Sequence, residues 1–186
     1  MHISRRRLLS VLATTTATLT GCIGSDGGSN STNSSQRDGE ALQNVETDPS
    51  FEKLRSTTGE TAVRSPTVEP DKEAGWAPIH WLINSAKDYF ILNISSEAEG
   101  IRDVRELLEE TDFSSESVLV HQYHIEECLT RHVRSIRWDE TGVGVNYVAK
   151  DRKTNCEIDV FDVEASFVRI PGDIKEIGYF GSSITQ

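Results

Sequence analysis

The sequence predicts one α+β domain, mainly β: an antiparallel sheet or a small open barrel with one amphipathic helix packed on it. Three observations lead there. Short apolar runs recur from Pro78 to the C-terminus, several with a period of two, and polar turn residues separate them. Only one stretch, 97–110, carries apolar residues at helical spacing. A length of 186 residues is about one domain with a dispensable tail.

The tail comes first. Residues 1–21 have a basic start, a short apolar segment and a small-residue end, the three parts of an export signal. Ser4-Arg5-Arg6-Arg7-Leu8-Leu9 resembles a twin-arginine signal, and Leu19-Thr20-Gly21-Cys22 resembles the lipobox of prokaryotic lipoproteins. The resemblance implies lipidation of Cys22, which becomes the mature N-terminus and anchors the protein in the membrane through its acyl chains. Residues 22–73 read as a disordered Ser/Gly/Asn-rich tether, in which 23–40 hold one apolar side chain, Ile23. Asn30 and Asn33 each open an N-glycosylation triplet in this tether, and Asn93 opens a third further on.

The globular domain is expected over 74–186. Pro78–Asn84 and Tyr89–Ile94 read as two strands joined by a turn at Ser85–Asp88. Ser96 followed by Glu99 is a capping box, and Ile101, Val104, Leu107 and Leu108 form the stripe of the helix it opens. Ser117–Ile125 places Leu119, His121, Tyr123 and Ile125 on one side of a strand. Arg131–Trp138 alternates Arg134, Ile136 and Trp138 against Val133, Ser135 and Arg137. Asp139–Gly142 turns into the clean alternation of Val143, Val145 and Tyr147. Further strands are expected at Ile158 and Val160, at Ala165–Ile170 and at Ile174–Phe180.

With Cys22 lipidated, Cys128 and Cys156 remain as the natural disulfide pair of an exported domain, each at a strand edge. His121, His124 and His132, with Cys128 and the acids Glu126 and Glu127, are the candidate metal ligands. Positions 121 and 124 differ by an odd number, so on a regular strand they face opposite ways. Trp76, Trp81 and Trp138, with Tyr89 and Tyr123, are either an aromatic cleft or core.

Charge and motifs exclude more than they assign. There are 19 basic and 30 acidic residues, a formal charge of −11, which argues against nucleic acid as a partner. Loss of residues 1–21 removes Arg5, Arg6 and Arg7 and no acid, so 16 basic face 30 acidic groups, a net −14. No phosphate-binding glycine loop, paired Cys-x-x-Cys, His-Glu-x-x-His or Gly-x-Ser-x-Gly occurs, so neither a catalytic residue nor a cofactor is assigned.

High acidity, only 6 Lys and the twin-arginine lipobox together resemble the surface lipoproteins of halophilic archaea. Separately, Asp112-Phe113-Ser114, Ser117–Val120 and Phe167–Pro171 resemble the domain of PrcB-like protease-complex proteins, which implies a β-rich exported module and an interaction role. The family's glycine-rich aromatic hairpin is missing here, so no residue roles carry over. The expectation is a lipid-anchored lipoprotein on the outer face of the cell membrane, acting as a binding module for an envelope protein or a small ligand. The alternative is a small metal-dependent enzyme or hydrolase built on His121, His124 and His132.

Overall fold

Strand β6 (Ser117–Glu126) organises the fold because it is buried on both faces. Its Val118 and Val120 enter one apolar cluster, and Leu119, Tyr123 and Ile125 enter another. The computed structural model describes residues 42–68, 76–152, 156–157 and 159–185. The remaining strands are β1 (Asn44–Thr47), β2 (Phe51–Ser56), β3 (Val63–Arg64), β4 (Ile79–Ile83), β5 (Asn93–Ile94), β7 (Leu129–Trp138), β8 (Gly142–Asp151), β9 (Phe161–Ile170) and β10 (Tyr179–Thr185). Two helices, α1 (Ala86–Phe90) and α2 (Ile101–Glu110), complete the described residues.

The fold is mainly β, and its sheets are not closed. One four-stranded sheet runs β1-β7-β8-β10 and a second runs β2-β9-β6-β4, with β3 and β5 as a separate ribbon. The inner faces of the two sheets share one core, in which Val133, Ile136, Val143, Val145 and Tyr147 meet Leu119, Val168 and Ile170. The opposite face of the β6–β9 sheet packs Leu54, Val120, Val163 and Phe167 under Val104, Leu107 and Leu108 of α2. The layers are therefore sheet, sheet and helix. Pairing is antiparallel except at the C-terminus, where β10 runs parallel to β8.

Several expectations are corrected. The tether does not extend to residue 73, because β1, β2 and β3 lie within 44–64 and Leu54 is fully buried. The domain thus reaches back to residue 42 at least. The Ser96–Glu99 box does not cap the helix. Glu99 instead bridges its backbone to Arg55 in both directions, and α2 begins after Gly100 with no side-chain cap. The second expected strand is a short helix followed by β5, since Ser85 caps α1 through the Asp88 N–H. In β7 the strict alternation fails because the register shifts between Val133 and Ser135. This bulge lets Val133 and Ile136 reach the same core. Strand β9 starts at Phe161, and the last strand is 179–185 instead of 174–180.

Candidate functional site

Along β9 the inward positions change from Asp162, Glu164 and Ser166 to Val168 and Ile170. One end of the sandwich interior is consequently charged and the other apolar. His80, His121, Ser166 and Lys53 stand in one row across β4, β6, β9 and β2. The next inward row is Tyr123, Glu164 and Arg55.

Arg55 is the centre of this cluster. Its Nε donates to Asp162 at 2.6 Å and its Nη1 to Glu164 at 3.1 Å. The same guanidinium donates to the backbone carbonyls of Leu129 at 2.8 Å, Glu126 at 3.2 Å and Glu127 at 3.1 Å, fixing the β6–β7 turn. Glu164 also accepts from the Tyr123 hydroxyl at 2.8 Å, the Thr130 hydroxyl at 2.8 Å and the Arg131 N–H at 3.1 Å. Lys53 donates to the Thr130 hydroxyl and to the Arg131 carbonyl. The Arg131 guanidinium stacks over the Tyr123 ring, 3.9 Å from its centroid.

The electrostatics follow from burial. Burial, then the neighbouring Glu164 charge, holds the Tyr123 hydroxyl well above the usual phenol range. Burial, assisted by Arg131 and His80, pushes His121 down to about 3, and burial also lowers Lys53. At neutral pH Tyr123 is a donor, His121 is uncharged, and the Glu164 lone pairs are taken by donors. A carboxylate so occupied is a tie between sheets and not a free general base.

A second feature lies on the outer face of the β7–β8 sheet. Arg137, Gly144 and Gly181 form one cross-strand row, and Ser135, Asn146 and Ser183 form the next on that face. The glycines leave a groove of about 370 Å³ with Leu42 on one side and Tyr179 on the other. A Cβ at Gly181 would stand 2.9 Å from the Tyr179 hydroxyl and 3.3 Å from its ring, so the ring lies across that glycine. Tyr179 is 63% exposed, which leaves a ring face to solvent. Asn146 Oδ1 is buried and has no hydrogen-bond partner among the described residues. Among the described residues, Arg137 is the single charged one lining the groove.

No family model, curated protein or solved structure matches the chain.

Cys128 and Cys156 form a disulfide with their Cα atoms 5.2 Å apart, and it ties the β6–β7 turn to the segment before β9. The three histidines are not brought together. His121 Nδ1 pairs with the Tyr147 hydroxyl at 2.9 Å in the core, His124 stacks on Trp76 at 4.4 Å, and His132 meets Phe51 edge-on at 4.8 Å. No group of three or more potential metal ligands exists among the described residues, and the candidate ligand Cys128 is bonded to Cys156. The aromatic residues do not share one cleft either. Trp81 belongs to the helix-side core, Trp138 and Tyr123 to the core between the sheets, and Trp76 is exposed. Asn93 is exposed in β5, opposite Arg64. Cys22, Asn30 and Asn33 lie outside the described residues.

A larger cavity of about 600 Å³ sits beside Trp138, rimmed by Asp139, Glu140, Asp173 and Glu176. Two of these acids are engaged locally: Asp139 accepts from the Thr141 N–H and hydroxyl and from the Gly142 N–H, and Asp173 pairs with Lys175. The groove over Gly144 and Gly181 was not anticipated, although a signal was present. In Gly142-Val143-Gly144-Val145-Asn146-Tyr147 the large side chains alternate with glycine, so one face of that strand is stripped of bulk.

Proposed function

We propose that the chain is a lipoprotein anchored through Cys22 at the outer face of the cell membrane, and that it binds a polar ligand through the groove over Gly144 and Gly181. The observation that carries the binding half is the groove itself: a glycine row, an exposed Tyr179 ring and, among the described residues, one cation, Arg137. Concave sites with a few convergent polar groups are where small ligands bind. The buried charged cluster is the weaker candidate, because its donors and acceptors are spent on one another and on backbone carbonyls. The anchoring half is supported by the twin-arginine-like and lipobox-like segments alone.

Two experiments test the halves separately. Cys22→Ser is expected to release the protein from the membrane fraction, and continued retention would refute the lipid anchor. A photoreactive residue at position 179, in the full chain in its native membrane, is expected to capture a partner or ligand that the same residue at exposed Glu109, on the helix side, does not. Equal labelling from both positions, or none from either, would refute the groove as the binding surface.

A further inference from the structure

We propose that the groove over Gly144 and Gly181 takes an acidic sugar, a pyranose bearing a carboxylate, with Tyr179 as its stacking platform and Arg137 as its carboxylate partner. The inference rests on the reading of this groove as the binding surface and adds the class of ligand.

Two chemistries converge there. The first is the platform. Because Gly181 has no side chain, the Tyr179 ring reaches across it and stays largely exposed, and an exposed aromatic ring suits the apolar C–H face of a pyranose.

The second is charge. In a chain with 30 acidic residues, no acid among the described residues lines this groove, and Arg137 is the one charged side chain they contribute to it. Arg137 makes no ion pair among the described residues, whereas the cavity beside Trp138 is rimmed by acids. A planar guanidinium offers a carboxylate two parallel hydrogen bonds. Arg137 and Gly181 are separated by one strand, Gly144, so their backbones are about 10 Å apart at ordinary strand spacing. That span fits one pyranose ring with its carboxylate, lying over the glycine row. The repulsion of a net acidic protein for an anionic ligand is short-ranged at high salt, where the Debye length falls to about 3 Å at 1 M.

The test is calorimetric titration of the full chain with tri-galacturonate, galactotriose and poly-glutamate, at two salt concentrations, with folding of each variant checked by circular dichroism. Tri-galacturonate is expected to bind at least about tenfold more tightly than galactotriose, and poly-glutamate not measurably. Arg137→Gln is expected to erase the preference for the acid while leaving weak neutral-sugar binding. Gly181→Ala, which lifts the ring, is expected to weaken both sugars by about tenfold. Equal binding of the acidic and neutral sugars would overturn the assignment of Arg137. Binding of poly-glutamate as tight as that of tri-galacturonate would overturn the sugar in favour of charge alone. Binding of no sugar, with position-179 crosslinking still specific, would overturn this inference and leave the binding surface standing. Failure of both would remove the two together.

Discussion

His121 Nδ1 lies 2.9 Å from the Tyr147 hydroxyl, a bond that crosses the interior from the β6–β9 sheet to the β7–β8 sheet. The imidazole is fully buried and its Nε2 has no partner among the described residues. Its folded-state value is near 3 against an ordinary 6.5, so unfolding takes up a proton across that window. Stability contributed by the neutral imidazole is therefore complete above about pH 6.5 and is lost as pH falls toward 3, by at most about 1.4 kcal/mol per pH unit. His121→Gln keeps a side chain that can bond Tyr147 but does not titrate. Its denaturation midpoint is expected to decline less than that of the wild type between pH 7 and 4.5. Parallel declines would place the acid sensitivity in the carboxylates instead.

Arg55 binds two carboxylates and three backbone carbonyls at once. Its loss leaves Asp162 and Glu164 buried with fewer donors, and breaking a buried pair costs about 3–5 kcal/mol. An ammonium has three donors and no fork, so Arg55→Lys is expected to lose nearly as much as Arg55→Met. Chemical denaturation of the two variants checks this. A lysine variant of wild-type stability would show that charge alone holds the cluster.

The same arginine explains why part of the fold was hidden in the sequence. Phe51-Glu52-Lys53-Leu54-Arg55-Ser56 is the edge strand of a packed sheet, yet its inward row includes Lys53 and Arg55. Their acceptors, Asp162 and Glu164, lie more than a hundred residues away, so hydropathy read locally shows a polar coil. Where the inward residues are apolar, as in Val143, Val145 and Tyr147, period and strand coincide. The Val133–Ser135 bulge and the parallel β10 depend on tertiary pairing and have no local signature. The disulfide partners were legible because few cysteines leave little choice. The groove was not, because it is made by absent side chains on two strands far apart in sequence.

The disulfide joins the turn that Arg55 already clamps to the segment before β9, and the Arg152 N–H donates to the Cys128 carbonyl at 2.8 Å beside it. Its contribution is mainly to restrict the unfolded chain, worth about 3 kcal/mol for a loop of this size. Replacing both cysteines by Ala is expected to lower the guanidinium midpoint accordingly while near-ultraviolet circular dichroism stays native. An unchanged midpoint would show that the Arg55 contacts already hold this end of the sandwich without the bridge.

Gly100 and Gly59 separate two costs that usually arrive together. Both have positive φ, 86° and 73°, a region that costs an L-residue roughly 1–2 kcal/mol. At Gly59 a Cβ would meet nothing nearer than the Phe161 carbonyl oxygen at 3.8 Å, so Gly59→Ala carries the backbone cost alone. At Gly100 a Cβ would stand 2.0 Å from the Lys53 carbonyl oxygen, a clash with backbone in β2. Relief requires moving the start of α2 away from that strand. The movement strains the paired bonds between Arg55 and Glu99, at 3.1 and 2.8 Å, and loosens the packing of Val104 and Leu107. Overpacking of this kind adds about 1–3 kcal/mol. Gly100→Ala is therefore expected to be the more destabilising by that margin in parallel denaturation. Equal losses would mean that α2 shifts freely, and would refute the Gly100 contact as what seats the helix on β2.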